Sequence, residues 1–315
     1  MTSTERITTG GRTVEIGRPE KVLFPDDGVT KGDLAGYYRA VARRMLPHLR
    51  GRPLMLERHP DGIDGSGFMQ KDVPDHFPDW VHRVELPKQD GTVTYAVCDD
   101  TASLLYLVDQ ACTTPHRFLS RADRPDHPDR LVFDLDPPPA SGRGDPDGRD
   151  FTVVRETALR LRGLLDELEL PSLVMSTGSR GLHVIVPLDR RAAFDDVRAF
   201  ARGVAELLAA RHPDELTTEA RKQARRGRLY LDTQRNAYAQ TAVAPYAVRA
   251  LPGAPVAAPL SWEDVEDPDL TAQPWHLSAV DRLLKADPWR GAPRGRSLAA
   301  ARRRLAELAQ DSSRP

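Results

Sequence analysis

After Thr30, apolar residues fall into helical register, with Leu34, Tyr38, Val41, Met45 and Leu49 on one face and Thr30 and Asp33 spaced as a capping box. The pattern predicts a helix over about residues 31–48. A second stripe through Leu104, Leu105, Val108 and Ala111, opened by Asp100 or Thr101, predicts another. Two longer helices are predicted from Val154, Ala158, Leu161, Leu165 and Leu168, and from Phe194, Val197, Ala201, Val204 and Leu208. Short apolar runs of strand character alternate with them: LVFDLD, LVMST at 173–177, LHVIVPL at 182–188 and RLYLD. The fold class expected is therefore mixed α/β (α+β), with central β-sheets flanked by helices.

Breakers punctuate this pattern. PPPASGRGDPDGRD, directly after Asp136, predicts a mobile surface loop. LPGAPVAAPLSWEDVEDPDLTAQPW predicts an extended connector, and SLAAARRRLAELAQ a basic helix ending in a frayed tail. No internal repeat is present.

A chain of 315 residues is long enough for one large domain or two interlocked modules around a sizeable core. No run reaches the roughly 18 apolar residues of a membrane span, and MTSTERITTGGR lacks the apolar core of a signal peptide. A cytoplasmic protein with no membrane partner is expected. The net charge of −1 hides many arginines balanced by aspartates, so any nucleic-acid contact must be a local patch rather than a basic coat. Cys98 and Cys112 have neither a CxxC partner nor nearby paired histidines, and read as buried thiols.

Chemistry is concentrated in LVFDLDPPP. Strand alternation puts Val132, Asp134 and Asp136 on one face and Leu131, Phe133 and Leu135 on the other, and the prolines stop the strand, leaving both acids at a solvent-accessible rim. Two close carboxylates repel unless a cation offsets them, and hard oxygen donors suit magnesium or manganese. Asp232, closing LYLD, would supply a third donor. Taken singly, each acid also fits a strand-end turn. In STGSRGLH, a glycine-bounded turn with Thr177, Ser179, Arg180 and His183 offers backbone N–H groups, hydroxyls and a cation to a triphosphate. A polar hairpin followed by a core histidine is the alternative.

In their order and separation, LVFDLDPPP, STGSRGLHVIVPL and LYLDTQRN resemble the three motifs of the archaeo-eukaryotic primase superfamily, and within it the polymerase domain of bacterial ligase D. EKVLFP, TKGDLAGYY, HPDGIDGSGFMQK, SRADRPDHPDRLVFDLD and AVAPYAVRALPGAPVAAPLSW extend the similarity. It implies a primase-polymerase domain over 1–290, with catalytic motifs within 131–249 and a basic helix and tail over 291–315.

Position by position, the resemblance implies that Asp134, Asp136 and Asp232 are catalytic ligands of two divalent ions, Mn2+ or Mg2+. It implies that Thr177, Ser179, Arg180, His183 and Arg249 bind the nucleotide. Thr177 and Arg180 stand where serine and lysine are common, and an arginine fork fixes geometry that an ammonium does not. Lys21 and Lys31 match positions that hold a 5′-phosphate, Arg58 and His116 match DNA contacts, and Phe68 matches an aromatic under the templating base, while Glu57 stands where a basic neighbour can occur. RKQARRGR at 221–228 is either a phosphate-backbone patch or a solvated helix face.

The implied activity is template-directed extension of 3′ ends with NTP or dNTP at gapped or broken DNA bearing a 5′-phosphate. Ku is the implied partner and the nucleoid the implied place of work. The chain shows no ligase or nuclease signature and lacks room for another catalytic domain, so a separate ATP-dependent DNA ligase is expected. The rivals are an Asp-x-Asp magnesium phosphohydrolase, disfavoured by Pro137–Pro139 and the motif's central position, and a non-catalytic nucleic-acid-binding module.

Overall fold

The computed structural model describes residues 3–88, 90–137 and 149–311. The proline-rich loop predicted after Asp136 lies outside them from Pro138 onward, as does the tail beyond Asp311. The chain divides into two units, each assembled from separate stretches of sequence: Met1–Pro125 with Thr241–Ala258 and Gln273–Asp287, and Asp126–Gln240 with Pro259–Ala272 and Pro288–Pro315.

In the first unit, the helix Lys31–Leu49 starts where predicted. Thr30 accepts from the Asp33 N–H and the Asp33 carboxylate accepts from the Thr30 N–H, so two otherwise unmet donors are satisfied. Its apolar stripe, from Leu34 through Leu49, is buried. Tyr38 lies on that face, donating its hydroxyl to the Thr113 carbonyl at 2.6 Å and accepting from the Val248 N–H. The second helix, Thr101–Asp109, is capped by Asp100 and stops before the predicted Ala111, whose φ of 60° lies outside the right-handed helical region. An antiparallel sheet runs in the order Thr241–Val243, Cys112–Phe118, Leu54–Arg58, Phe68–Gln70. Both cysteines are buried and free, and burial pushes each thiol upward, so neither is a ready nucleophile.

The second unit is built on a six-stranded sheet ordered Leu216–Thr217, Leu229–Asp232, Arg130–Asp136, Leu182–Pro187, Leu173–Ser176, Pro259–Leu260, antiparallel except for the first pair. Leu131, Phe133 and Leu135 share one core with Val184, Val186, Leu229 and Leu231 of neighbouring strands. The helices Arg149–Glu167 and Phe194–Arg211 complete it through Val154, Leu161, Leu165, Val197 and Val204. Each such fully buried side chain contributes roughly 1.5–3 kcal/mol, which fixes the sheet's register and therefore which residues face away from the core. The basic helix is Leu298–Asp311.

Two expectations change. The proline-rich stretch after Leu251 is more than a connector: Val256–Ala257 and Pro259–Leu260 are short strands, and Ser261 and Asp264 form a capping box for the turn Trp262–Glu266. Pro259 is tolerated because its strand ends the sheet order, where a missing N–H breaks no ladder on the outer side. RKQARRGR is not a regular helix face: it holds a single 3₁₀ turn, Lys222–Arg225, and leaves Arg221, Lys222 and Arg226 exposed. Arg225 is buried, donates to the Glu219 and Ala220 carbonyls, and lies 4.0 Å from the Tyr230 ring centre.

Candidate functional site

The core-facing alternation of Leu131, Phe133 and Leu135 forces Asp134 and Asp136 onto the opposite face of their strand. Register does the rest. Asp134 pairs across the ladder with Asp232 on one side and with His183 on the other, and Asp136 pairs with Tyr230. Residues directly opposite in a ladder share a face, so three carboxylates and an imidazole are gathered on one surface of the second unit. The strand is held at Val132 by Asn236, whose side-chain amide accepts from the Val132 N–H at 2.9 Å and donates to its carbonyl at 2.7 Å, standing in for a neighbouring strand.

Asp134 does not sit at an open rim as expected; only 5% of it is exposed. One oxygen lies 3.5 Å from His183 Nε2 and the other accepts from Arg235 Nε at 3.3 Å. Burial works against its charge, but the His183 and Arg235 contacts outweigh burial and hold its carboxyl below the usual range. Asp136 and Asp232 go the other way. Burial first, then the charges of Asp134 and Asp232, push Asp136 up to about 6. Asp232 is raised by burial and by Asp134, although it accepts from the Gln234 N–H at 2.7 Å and from the Tyr230 hydroxyl.

These carboxylates carry more negative charge than their surroundings neutralise, and all their donors are hard oxygens, which suits a divalent cation. Among the described residues no three Asp, Glu, His or Cys side chains come together as a group that could hold a metal ion. The oxygen chemistry of the three carboxylates is of the kind that suits magnesium or manganese.

The glycine-bounded turn adjoins this face. Gly178 has φ of 63°, and a Cβ on Gly181 would stand 2.3 Å from the Leu135 carbonyl oxygen, so only glycine lets the turn come so close to the acidic strand. The turn is less open than predicted. Thr177 Oγ1 donates to the Gly181 carbonyl and accepts from the Ser179 and Gly181 N–H groups at 3.3 Å, because a buried hydroxyl takes the nearest partners available. Arg180 is exposed, and His183 is buried with its Nδ1 unmatched by any hydrogen bond among the described residues.

The remaining predicted residues belong to the first unit. The Lys31 N–H donates to the Lys21 carbonyl, which makes the two lysines neighbours. Neither ammonium is simply solvated: Lys31 is buried and donates to Asp109 at 2.7 Å, and Lys21 donates to Asp61 at 2.9 Å. Arg58 and Phe68 face each other across their strands, with the guanidinium 5.3 Å from the ring centre and Phe68 46% exposed. Arg58 also donates to Gln70 and to the Gln110 carbonyl. His116 donates from Nε2 to Glu57 at 3.0 Å, and the charge of Arg249 acts on the same carboxylate.

Sequence reading did not single out Arg235 or Asn236, although both lie in the quoted LYLDTQRN. It noted Glu57 only as a departure from a basic residue. Among the described residues, no helix is long and apolar enough to cross a membrane.

The model of the LigD primase-polymerase domain matches residues 30–289. The multifunctional non-homologous end joining protein LigD of Mycolicibacterium smegmatis is 33% identical over 277 residues, 86% of this chain but 34% of that protein. The bifunctional non-homologous end joining protein LigD of Bacillus subtilis is 32% identical over 269 residues, 84% of this chain and 42% of its own length. The chain thus spans well under half the length of these relatives. The polymerase domain of Mycobacterium tuberculosis ligase D, solved in complex with DNA, superposes with a TM-score of 0.78 at 31% identity, covering 86% of this chain and 93% of that one. With its mixed α/β fold and its acidic strand pairs, this chain belongs to the LigD primase-polymerase domain family.

Proposed function

We propose that the chain extends 3′ ends at DNA gaps and breaks bearing a 5′-phosphate, adding NTP or dNTP in template order during non-homologous end joining. The observation that carries this reading is the ladder register that sets Asp134, Asp136, Asp232 and His183 on one face. Asp134, Asp136 and Asp232 would hold two divalent ions, Mn2+ or Mg2+, which when bound supply the charge that activates a primer hydroxyl and neutralises leaving pyrophosphate.

The protein's own contribution is positioning and electrostatics. Arg235 and His183 keep Asp134 ionised, so its carboxylate is a ready donor at neutral pH. Arg180, His183 and the Thr177–Gly181 turn orient the triphosphate, with Arg249 as a further cation. Lys21 and Lys31 receive the 5′-phosphate, exchanging the carboxylates that now hold them, and Arg58, Phe68 and His116 contact the DNA. The primase-polymerase domain occupies 1–290, followed by the basic helix. Ku and an ATP-dependent ligase would act with it at the nucleoid.

Single-turnover extension of a gapped, 5′-phosphorylated duplex with manganese tests this. Template-directed addition is the expected result. Binding without extension would leave a nucleic-acid-binding module, and release of phosphate from an aryl phosphate without extension would favour the phosphohydrolase.

A further inference from the structure

Glu57 belongs to the strand Leu54–Arg58, whose partner Cys112–Phe118 sets Met55 opposite His116. Met55 and Glu57 share a face, so His116 is Glu57's diagonal neighbour across the ladder, a separation that long side chains bridge. Both oxygens of Glu57 are engaged. Oε2 accepts from His116 Nε2 at 3.0 Å, and Oε1 lies 3.5 Å from His59 Nε2. The three side chains are 22%, 15% and 12% exposed, which makes this a sheltered cluster rather than a surface pairing.

The fold also reserves room for it. A Cβ on Gly67 would stand 2.3 Å from His59 Cε1, so a side chain there would displace the imidazole that backs Glu57. Burial alone would raise the Glu57 carboxyl, yet the His116 bond and the charges of His116 and Arg249 hold it down at about 2. Glu57 is therefore ionised throughout the neutral range. A carboxylate on one ring nitrogen fixes a histidine's ring orientation and tautomer.

We infer that Glu57 is a positioning residue for the polymerase reaction, orienting His116 toward DNA, with His59 as its brace. The inference rests on the reading of His116 as a DNA contact. In this role Glu57 works through His116. An acid at a place where a basic residue can occur thus serves nucleic-acid binding indirectly, by ordering the groups around it.

A double-mutant cycle tests this, using single-turnover extension of a gapped, 5′-phosphorylated duplex with manganese and the separate affinities for DNA and nucleotide. H116A and E57A should each lower extension about 10-fold, and the E57A/H116A double variant should fall no further than H116A alone. E57Q, which keeps an acceptor for His116, should recover part of the loss and provides the readout should E57A fail to fold. G67A should reproduce a smaller loss that disappears in the E57Q background.

Losses that multiply in the double variant, or full activity in E57A beside an impaired H116A, would overturn the positioning role. If H116A is silent in extension and in both affinities, the contact reading of His116 fails first and the role of Glu57 goes with it.

Discussion

Glu57 in the first unit and Asp136 in the second are both partly buried acids on sheet faces, yet they are displaced in opposite directions, to about 2 and to about 6. Burial opposes ionisation at both, so the neighbours decide the outcome. Glu57 is surrounded by His116, Arg249 and His59, whose favourable interactions exceed the cost of burial. Asp136 faces Asp134 and Asp232, and the charges of Arg235 and Arg225 do not offset them. One cluster is electrostatically complete within the protein. The other has a surplus of negative charge on a face whose register is fixed by the core behind it, and such a surplus is what an added cation would relieve.

The contrast is broken most severely by removing the surplus. Asp134→Ala with Asp136→Ala should reduce primer extension by at least ~1,000-fold, the scale at which electrostatic stabilisation of a transition state is lost. Circular dichroism and gel-shift binding to gapped DNA should remain close to wild type, since the core face is untouched.

Stability should respond with opposite signs at the two acids. The folded-state value of Glu57 lies below the ordinary 4.5, so its contribution is present above about 4.5 and is lost as pH falls toward 2. Glu57→Gln should therefore cost about 3 kcal/mol at pH 7 and flatten the acid limb of a stability–pH profile measured by urea unfolding. Asp136 is raised from 3.8 to about 6, so its ionisation penalises the fold as pH rises through 6. Asp136→Asn should stabilise the chelator-treated protein at pH 8 by about 1–2 kcal/mol, allowing for solvent screening, and should have little effect at pH 4.

Phe68 sharpens the comparison from the nucleic-acid side. It stays exposed although it stacks with Arg58. Phe68→Ala should weaken binding to gapped DNA about 10-fold in fluorescence anisotropy, the loss of one base–aromatic stack, without altering melting temperature.

What was legible in the sequence was local or periodic. The Thr30–Asp33 cap, the stripe from Leu34 to Leu49 and the alternation through Asp134 and Asp136 are written in near neighbours, and these elements stand where the pattern puts them. The assembly of the candidate site was only partly legible. Asp134 meets Asp232 across 98 positions of chain, a pairing set by strand order and not by any local signal. The burial of Asp134 follows from His183 and Arg235 arriving from two different strand ends, and so escaped a reading that saw only the prolines after it. Arg225 looked like surface charge because a run of basic residues usually is; its burial depends on the Tyr230 ring beneath it. Glu57 read as a departure from a basic position, since nothing near it in sequence reveals that His116 and Arg249 converge on it.

The aspartate face should take up a divalent cation, while the glutamate cluster should not need one. Isothermal titration of Mn2+ into the wild-type chain, E57Q and the Asp134→Ala/Asp136→Ala variant measures this directly. Manganese should bind wild type and E57Q alike and should not bind the double aspartate variant. Binding that survives loss of both aspartates, or that vanishes with Glu57 alone, would contradict it.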